Sequence, residues 1–190
     1  MEKMEIGAER ACYPMPCSLV GVNVKGRPNY LTVAWFSMVN PKPAYVMIAL
    51  NKAHYSNAGI RENGTFSVNI PSSAMAEVSD YCGLVSGKQH DKAAQFETFY
   101  GKLETAPMIK ECPFNVECKL VQTVDLPVDE LFIGEIVATY SDARFLTDGV
   151  PDLRKINPFV LAMPERKYLG LGGEVGPAWG MGKKLIKKGT

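Results

Sequence analysis

A chain of 190 residues is long enough to bury a hydrophobic core without disulfide or metal staples, and short enough that one domain is the default. Its 21 Lys and Arg nearly cancel its 20 Asp and Glu, and a formal charge of +1 supplies no global field to steer it onto nucleic acid or an anionic membrane. Five cysteines (Cys12, Cys17, Cys82, Cys112 and Cys118) are odd in number and lack C-x-x-C spacing, which argues against a disulfide framework and against zinc or iron–sulfur ligation.

The first ten residues, MEKMEIGAER, lack the apolar core of a secretory signal, and no later stretch approaches the ~18 consecutive apolar residues of a membrane span. A soluble, cytoplasmic protein is expected. In CSLVGVNV (17–24) apolar side chains alternate until KGRPN, whose Gly and Pro predict a turn, so a hairpin into YLTVAWF (30–36) follows. AYVMIAL (44–50) is apolar on both faces and predicts a strand buried inside a sheet.

Ser56 is placed to N-cap a short helix, NAGIRENG, with Gly64 as a left-handed C-cap, and TFSVNI (65–70) returns to strand alternation. A second helix is expected from Ser72, carrying Ala74, Val78, Tyr81 and Cys82 on one face and ending at Gly83. Residues 87–113 are mostly polar and irregular or weakly helical. NVECKLVQTV (115–124) and ELFIGEIVATYS (130–141) predict a long hairpin across DLPVD, and PFVLAM (158–163) a further short strand. About seven strands with two short helices imply a β-barrel with helical excursions in a single domain spanning 1–190.

The G-x-G-x-x-G, P-loop, H-E-x-x-H and G-x-S-x-G signatures are all missing, and His54 and His90 alone exclude a three-histidine metal site. No metal ligands and no catalytic acid or base are assigned. In NKAHYSNAG (51–59) a strand end gives way to Lys52, His54 and then Ser56 at a helix start, where free N–H groups and the helix dipole favour an anion; an ordinary capped helix with polar neighbours fits the same residues. SGKQHDK (86–92) poses the same choice, its Ser, Gly and lysines donating to phosphate or facing water. Cys82 falls at a helix C-terminus, where the dipole opposes a thiolate, so it is not expected to be a nucleophile. A redox pair of Cys12 and Cys17 stays open. The basic end, with Lys183, Lys184, Lys187 and Lys188, predicts a solvated helix face, since no aromatic platform for nucleic acid accompanies it.

Taken in order, YPMPCSLVGV, GRPNYLTVAWFSMVNPKPAYVMIALNKAHYSN, FSVNIP, SDYCGLVSGKQHDK and LFIGEIV resemble the flavin reductase-like, FMN-binding split-barrel family, especially its flavoredoxin branch. Most specific are N-x-x-T-x-A-W before a Pro-containing turn, and D-Y-C-G-x-x-S-G-x-x-x-D-K from Asp80 to Lys92. The resemblance implies a mainly β fold, a Greek-key antiparallel split β-barrel with short helical insertions, that forms a homodimer with FMN near the subunit interface. It sets Cys82, Ser86, Gly87 and Lys88 along the flavin, with Asp91 and Lys92 fixing the loop or reaching the phosphate. Asn29 and the run Thr32, Val33, Ala34 and Trp35 would lie beside the isoalloxazine. The loop holding Asn51, Lys52, His54, Ser56 and Asn57 would take the ribityl phosphate. The sequence departs from the family pattern after Lys92, where Ala93 replaces a common Phe and Phe96 follows three places later, so which aromatic covers the flavin stays open.

The function so implied is an FMN-binding oxidoreductase passing electrons from NADH or NADPH through flavin to an acceptor. Two alternatives accompany it. One is a flavoredoxin-type electron carrier without a nicotinamide site, working with a redox partner protein. The other is a non-redox binder of a phosphorylated ligand. Neither nucleic acid nor membrane is an expected partner.

Overall fold

The computed structural model describes residues 1–8 and 13–186. Cys12 of the possible redox pair, and Lys187 and Lys188 of the basic end, lie outside the described residues. The strands run β1 (Pro14–Pro16), β2 (Ser18–Val24), β3 (Arg27–Val33), β4 (Phe36–Pro41) and β5 (Ala44–Asn51) before helix α1 (Ser56–Asn63) and β6 (Thr65–Ile70). Helix α2 (Ala76–Leu84) leads to a two-residue ladder, β7 (Thr98–Phe99) with β8 (Met108–Ile109), and then to the long hairpin β9 (Phe114–Asp125) and β10 (Asp129–Ser141). The ladder β11 (Leu146–Thr147) and β12 (Val150–Pro151), the single-turn helix α3 (Leu153–Ile156), β13 (Phe159–Ala162) and β14 (Lys167–Gly170) complete the order. Among the described residues no helix is long and apolar enough to cross a membrane.

Seven strands form one antiparallel sheet in the order β3-β2-β6-β9-β10-β5-β4. Its two edge strands, β3 and β4, are consecutive in the chain and separated only by Ala34 and Trp35, so the sheet has to curl until its edges approach. The result is the expected Greek-key barrel, split along the β3–β4 seam. Trp35 still accepts a hydrogen bond from Ala49 N at 2.9 Å, which ties the seam to β5.

Period-two alternation fills the barrel: Val20, Val22 and Val24, then Leu31 and Val33, Val46, Ile48 and Leu50, Phe66 and Val68, Val116 and Cys118, and Phe132, with Ile60 of α1 added at one end. The other face of β2 and β3 is covered by α2 and the 93–112 segment around Leu19, Tyr30, Cys82, Ile109 and Cys112. Every residue of β2 is therefore buried, which is why CSLVGVNV is so poor in charge.

Gly21 of β2 sits where that outer segment comes closest. A Cβ there would overlap the Pro107 carbonyl oxygen and the Ser67 hydroxyl, and neither has room to retreat, since Ser67 Oγ already donates to Pro107 O. Gly21→Ala is expected to destabilise the fold by about 3 kcal/mol, at the upper end of overpacking costs, read as a lower urea midpoint at unchanged slope.

Several local expectations change. The turn is only Lys25-Gly26, both with positive φ (52° and 74°), the type I′ geometry that matches strand twist. YLTVAWF is not one strand, because the chain must leave β3 for the opposite edge of the sheet at Ala34 and Trp35. Ser56 is the first helical residue and not the cap, a place taken by Tyr55, whereas Gly64 is the left-handed C-cap and donates to Ile60 O at 2.9 Å. Helix α2, preceded by a 3-10 turn over Ser73–Met75, runs through Gly83 to Leu84. Gly83 instead brings the helix close to β3, where an added Cβ would stand 3.4 Å from Thr32 Cβ. PFVLAM pairs outside the barrel, in a three-stranded sheet of order β1-β13-β14 whose outer strands the sequence reading did not anticipate.

Candidate functional site

Three segments converge beside the seam: the Thr32–Trp35 crossing, the loop from β5 into α1, and the chain leaving α2. The first loop is shaped by Asn51, whose side-chain Oδ1 accepts from Ala53 N at 3.0 Å and whose carbonyl accepts from His54 N at 3.0 Å. The loop delivers Ser56 to the start of α1, where its Oγ accepts from Asn29 Nδ2 of β3 at 2.8 Å. The Ser56 hydroxyl proton is left unspent by that bond, at a helix start where Asn57 N already donates to His54 O at 3.3 Å.

The second loop turns on Ser86. Its carbonyl accepts from Gln89 N and His90 N, both at 3.0 Å, and its Oγ accepts from Lys88 N at 3.3 Å. Gly87 is seated against Asn29 and Tyr55, so any Cβ there would overlap Asn29 Oδ1. Lys92 then passes beneath, and its Nζ donates to Cys82 O at 2.9 Å and to Val85 O at 3.2 Å, capping the C-terminal end of α2. Only 2% of Lys92 is exposed, and among the described residues no carboxylate lies within 4.0 Å of its ammonium. Burial holds the Lys92 pKa below its ordinary value. Burial, and then the charge of Lys92, hold His54 below its own, with Asp129 pulling the other way. An ammonium taken out of water with only carbonyl partners leaves a local demand for an anion.

Three adjoining clefts surround this group. One of about 230 Å³ lies among Asn29, His54, Ser56, Ser86, Gly87 and Lys92. A second, of about 300 Å³, runs along the seam past Thr32, Val33, Ala34, Trp35 and Asn51, and shares His54 with the first. A third, of about 380 Å³, lies among Lys25, Arg27, Lys88, His90 and Asp91 and shares Asn29, Tyr55, Gly87 and Lys92 with the first. Thirteen of the sixteen residues singled out from the sequence line these clefts.

Three do not. Lys52 is drawn away into an ion pair with Asp125 at 2.6 Å. Asn57 is 1% exposed and braces α1, its Nδ2 donating to Asn51 O at 3.0 Å and to Glu130 Oε2 at 3.1 Å, while Oδ1 has no partner among the described residues. Cys82 is fully buried under α2 with Leu19 and Tyr30, and burial pushes its thiol up to about 11, with Lys92 opposing weakly. What Cys82 contributes is its carbonyl. Lys92 fixes the loop through the Cys82 and Val85 carbonyls and also lines the first cleft. Sequence reasoning missed Tyr55, Asp129 and Met163 as walls, and missed Lys25 and Arg27, which it absorbed into a turn.

Residues 10–152 match the family model described as the flavin reductase like domain, and the chain belongs to that family. Within solved structures it is similar to flavoredoxin from Methanosarcina acetivorans, with 47% identity and a TM-score of 0.96 over 98% of this chain and 100% of that one. It is also similar to flavoredoxin of Desulfovibrio vulgaris (Miyazaki F), at 34% identity and a TM-score of 0.90 over 96% and 100%. An uncharacterized protein of Archaeoglobus fulgidus is 31% identical over 144 residues, 74% of this chain and 80% of that protein.

Proposed function

We propose that the chain binds FMN as one unit, with the phosphate between Ser56 and Lys92 and the ring system along the Thr32–Trp35 seam, and that it passes electrons from NADH or NADPH to an acceptor. The observation that carries this reading is the buried Lys92 ammonium, with no carboxylate within 4.0 Å among the described residues, in the wall of a cleft that a helix start also lines. Membership of the flavin reductase-like family and similarity to two flavoredoxins support it. The hydride and electron chemistry belongs to the bound flavin.

The chain's own residues bind and orient. Ser56 offers an unspent hydroxyl proton and the first turn of α1 its N–H groups, Lys92 offers charge, and the extended backbone at the seam offers donors and acceptors to a polar ring edge. Trp35, Met38 and Val39, exposed at the β4 edge beside the seam, suit a homodimer in which the second subunit covers the ring. A second reading, an electron carrier served by a partner protein in place of a nicotinamide, is favoured by the names of the two similar structures.

An absorbance spectrum of protein purified after expression with FMN supplied is expected to show bound flavin. Colourless protein that takes up no FMN would remove the proposal. Anaerobic addition of NADH or NADPH separates the two readings: rapid bleaching supports the oxidoreductase, and persistent colour supports the carrier.

A further inference from the structure

Among the described residues Met163 is the one methionine in the walls of the two clefts assigned above to the flavin. It follows β13, and the backbone around it is pinned. Ala162 pairs with Pro14 of β1 and with Lys167 of β14, and Arg166 N donates to Met163 O at 3.2 Å across the turn between β13 and β14. The residue is 42% exposed and lines the seam cleft with Thr32, Trp35 and His54, so small molecules reach it there.

A flavin carrying two electrons in air has a side reaction for which this neighbourhood matters. Dioxygen takes the pair together with two protons and leaves as hydrogen peroxide, and the flavin returns to its oxidised form. Thiols and thioethers are the side chains that oxidise most readily, and thiols react as thiolates. The cysteines that the structure describes are all buried; burial pushes Cys17 and Cys82 up to about 11 and raises Cys112 and Cys118 too, so none competes. A thioether needs no deprotonation.

We infer that Met163 is a self-oxidation site of the flavin-loaded protein, a thioether placed to take the peroxide made beside it. The inference rests on the proposed function, which sets the ring along the seam. One peroxide oxygen bonds to Met163 Sδ as the O–O bond breaks, sulfur gives up two electrons to become the sulfoxide, and the other oxygen leaves as water with both protons. The product puts a strong dipole where the seam had an apolar, polarisable wall, so the ring is held less well. Air thus turns the site down until a methionine sulfoxide reductase restores it.

The test loads the full chain with FMN, reduces it anaerobically with dithionite, removes excess reductant and admits air in the dark, over repeated cycles. Catalase, too large to enter the cleft, is present to destroy escaped peroxide. Trypsin then yields the peptides Ile156–Arg166 and Tyr168–Lys183, each holding a single methionine, Met163 and Met181. Met181 is 48% exposed yet lines none of the three clefts, so it reports oxidant free in solution. By mass spectrometry the first peptide should gain oxygen about tenfold or more faster than the second, because its oxidant is made beside it. Affinities for FMN and riboflavin should fall together by roughly two- to tenfold, the span of a lost sulfur–aromatic contact, whereas Met163→Leu should keep its own starting affinities through every cycle. Equal oxidation of the two peptides, or oxidation that catalase abolishes, overturns the inference and leaves the proposed function standing. Protein that takes up no FMN defeats the proposed function and this inference with it.

Discussion

Replacing Lys92 with methionine is expected to lower FMN affinity on the order of a hundredfold while changing riboflavin affinity far less, because charge-assisted bonds to phosphate contribute ~1.5–3 kcal/mol each and a buried ammonium is poorly screened. Methionine keeps the length and apolar stem of lysine but leaves the Cys82 and Val85 carbonyls without their donor. That loss weakens both flavins alike, so the ratio of the two affinities isolates the phosphate. Fluorescence-quenching titrations give the ratio directly, and equal losses would mean that Lys92 serves the loop alone.

The same group sets a pH dependence. Burial lowers the folded-state pKa of Lys92 below the ordinary 10.5, so between the two values the unfolded chain holds more protons. FMN-free protein therefore gains stability from this group as pH rises through that window. A bound phosphate pulls the folded pKa back up, so the gain shrinks in FMN-loaded protein and FMN affinity falls with rising pH. Melting temperatures across that range, with and without FMN, should diverge in this sense. Parallel curves would remove the coupling.

Glu117→Leu should cost about 4 kcal/mol or more of fold stability, since each buried donor left unsatisfied costs ~1–3 kcal/mol. Glu117 is fully buried in β9, and its carboxylate accepts from Gly101 N at 3.1 Å, Lys102 N at 2.9 Å, Leu103 N at 3.0 Å and the Tyr140 hydroxyl at 2.9 Å. Leucine fills the space and answers none of the four. Glu117→Gln retains one acceptor oxygen and should lose roughly half as much. Urea denaturation measures the totals, and hydrogen exchange at residues 101–103 should quicken first. A leucine variant within about 1 kcal/mol of the parent would show that water reaches these donors.

The strands that alternate or run apolar were legible because one or both faces are buried along β2, β5 and β6 and along the first halves of β9 and β10. The break at Ala34 and Trp35 was not, because nothing local in YLTVAWF marks where a sheet must close on itself. Gly83 looked like a helix stop because a glycine that ends a helix and one that lets a helix approach a strand are identical in sequence. Strand β14 hid in a glycine-rich tail, where pairing with β13 and not side-chain pattern makes the strand. At the site, the resemblance assembled most of the lining, but the lateral pull of Asp125 on Lys52 and the inward turn of Cys82 are tertiary facts. Glu117 carried no signal at all, since a glutamate in NVECKLVQTV reads as the wet side of a strand.

The pairing of β1 with β13, which sets Pro14 opposite Ala162, bears on the order in which the molecule is completed during synthesis. All seven strands of the barrel lie between Ser18 and Ser141, so the barrel can close while the later chain is still in the ribosome. Strand β1, made before the barrel strands, must then wait for a strand made after them, the kind of distant pairing that forms slowly. Met163, which follows β13 and lines the seam cleft, arrives with it. A nascent chain thus owns both turns that shape the first cleft well before it owns Met163, and the seam cleft is the later of the two to be sealed.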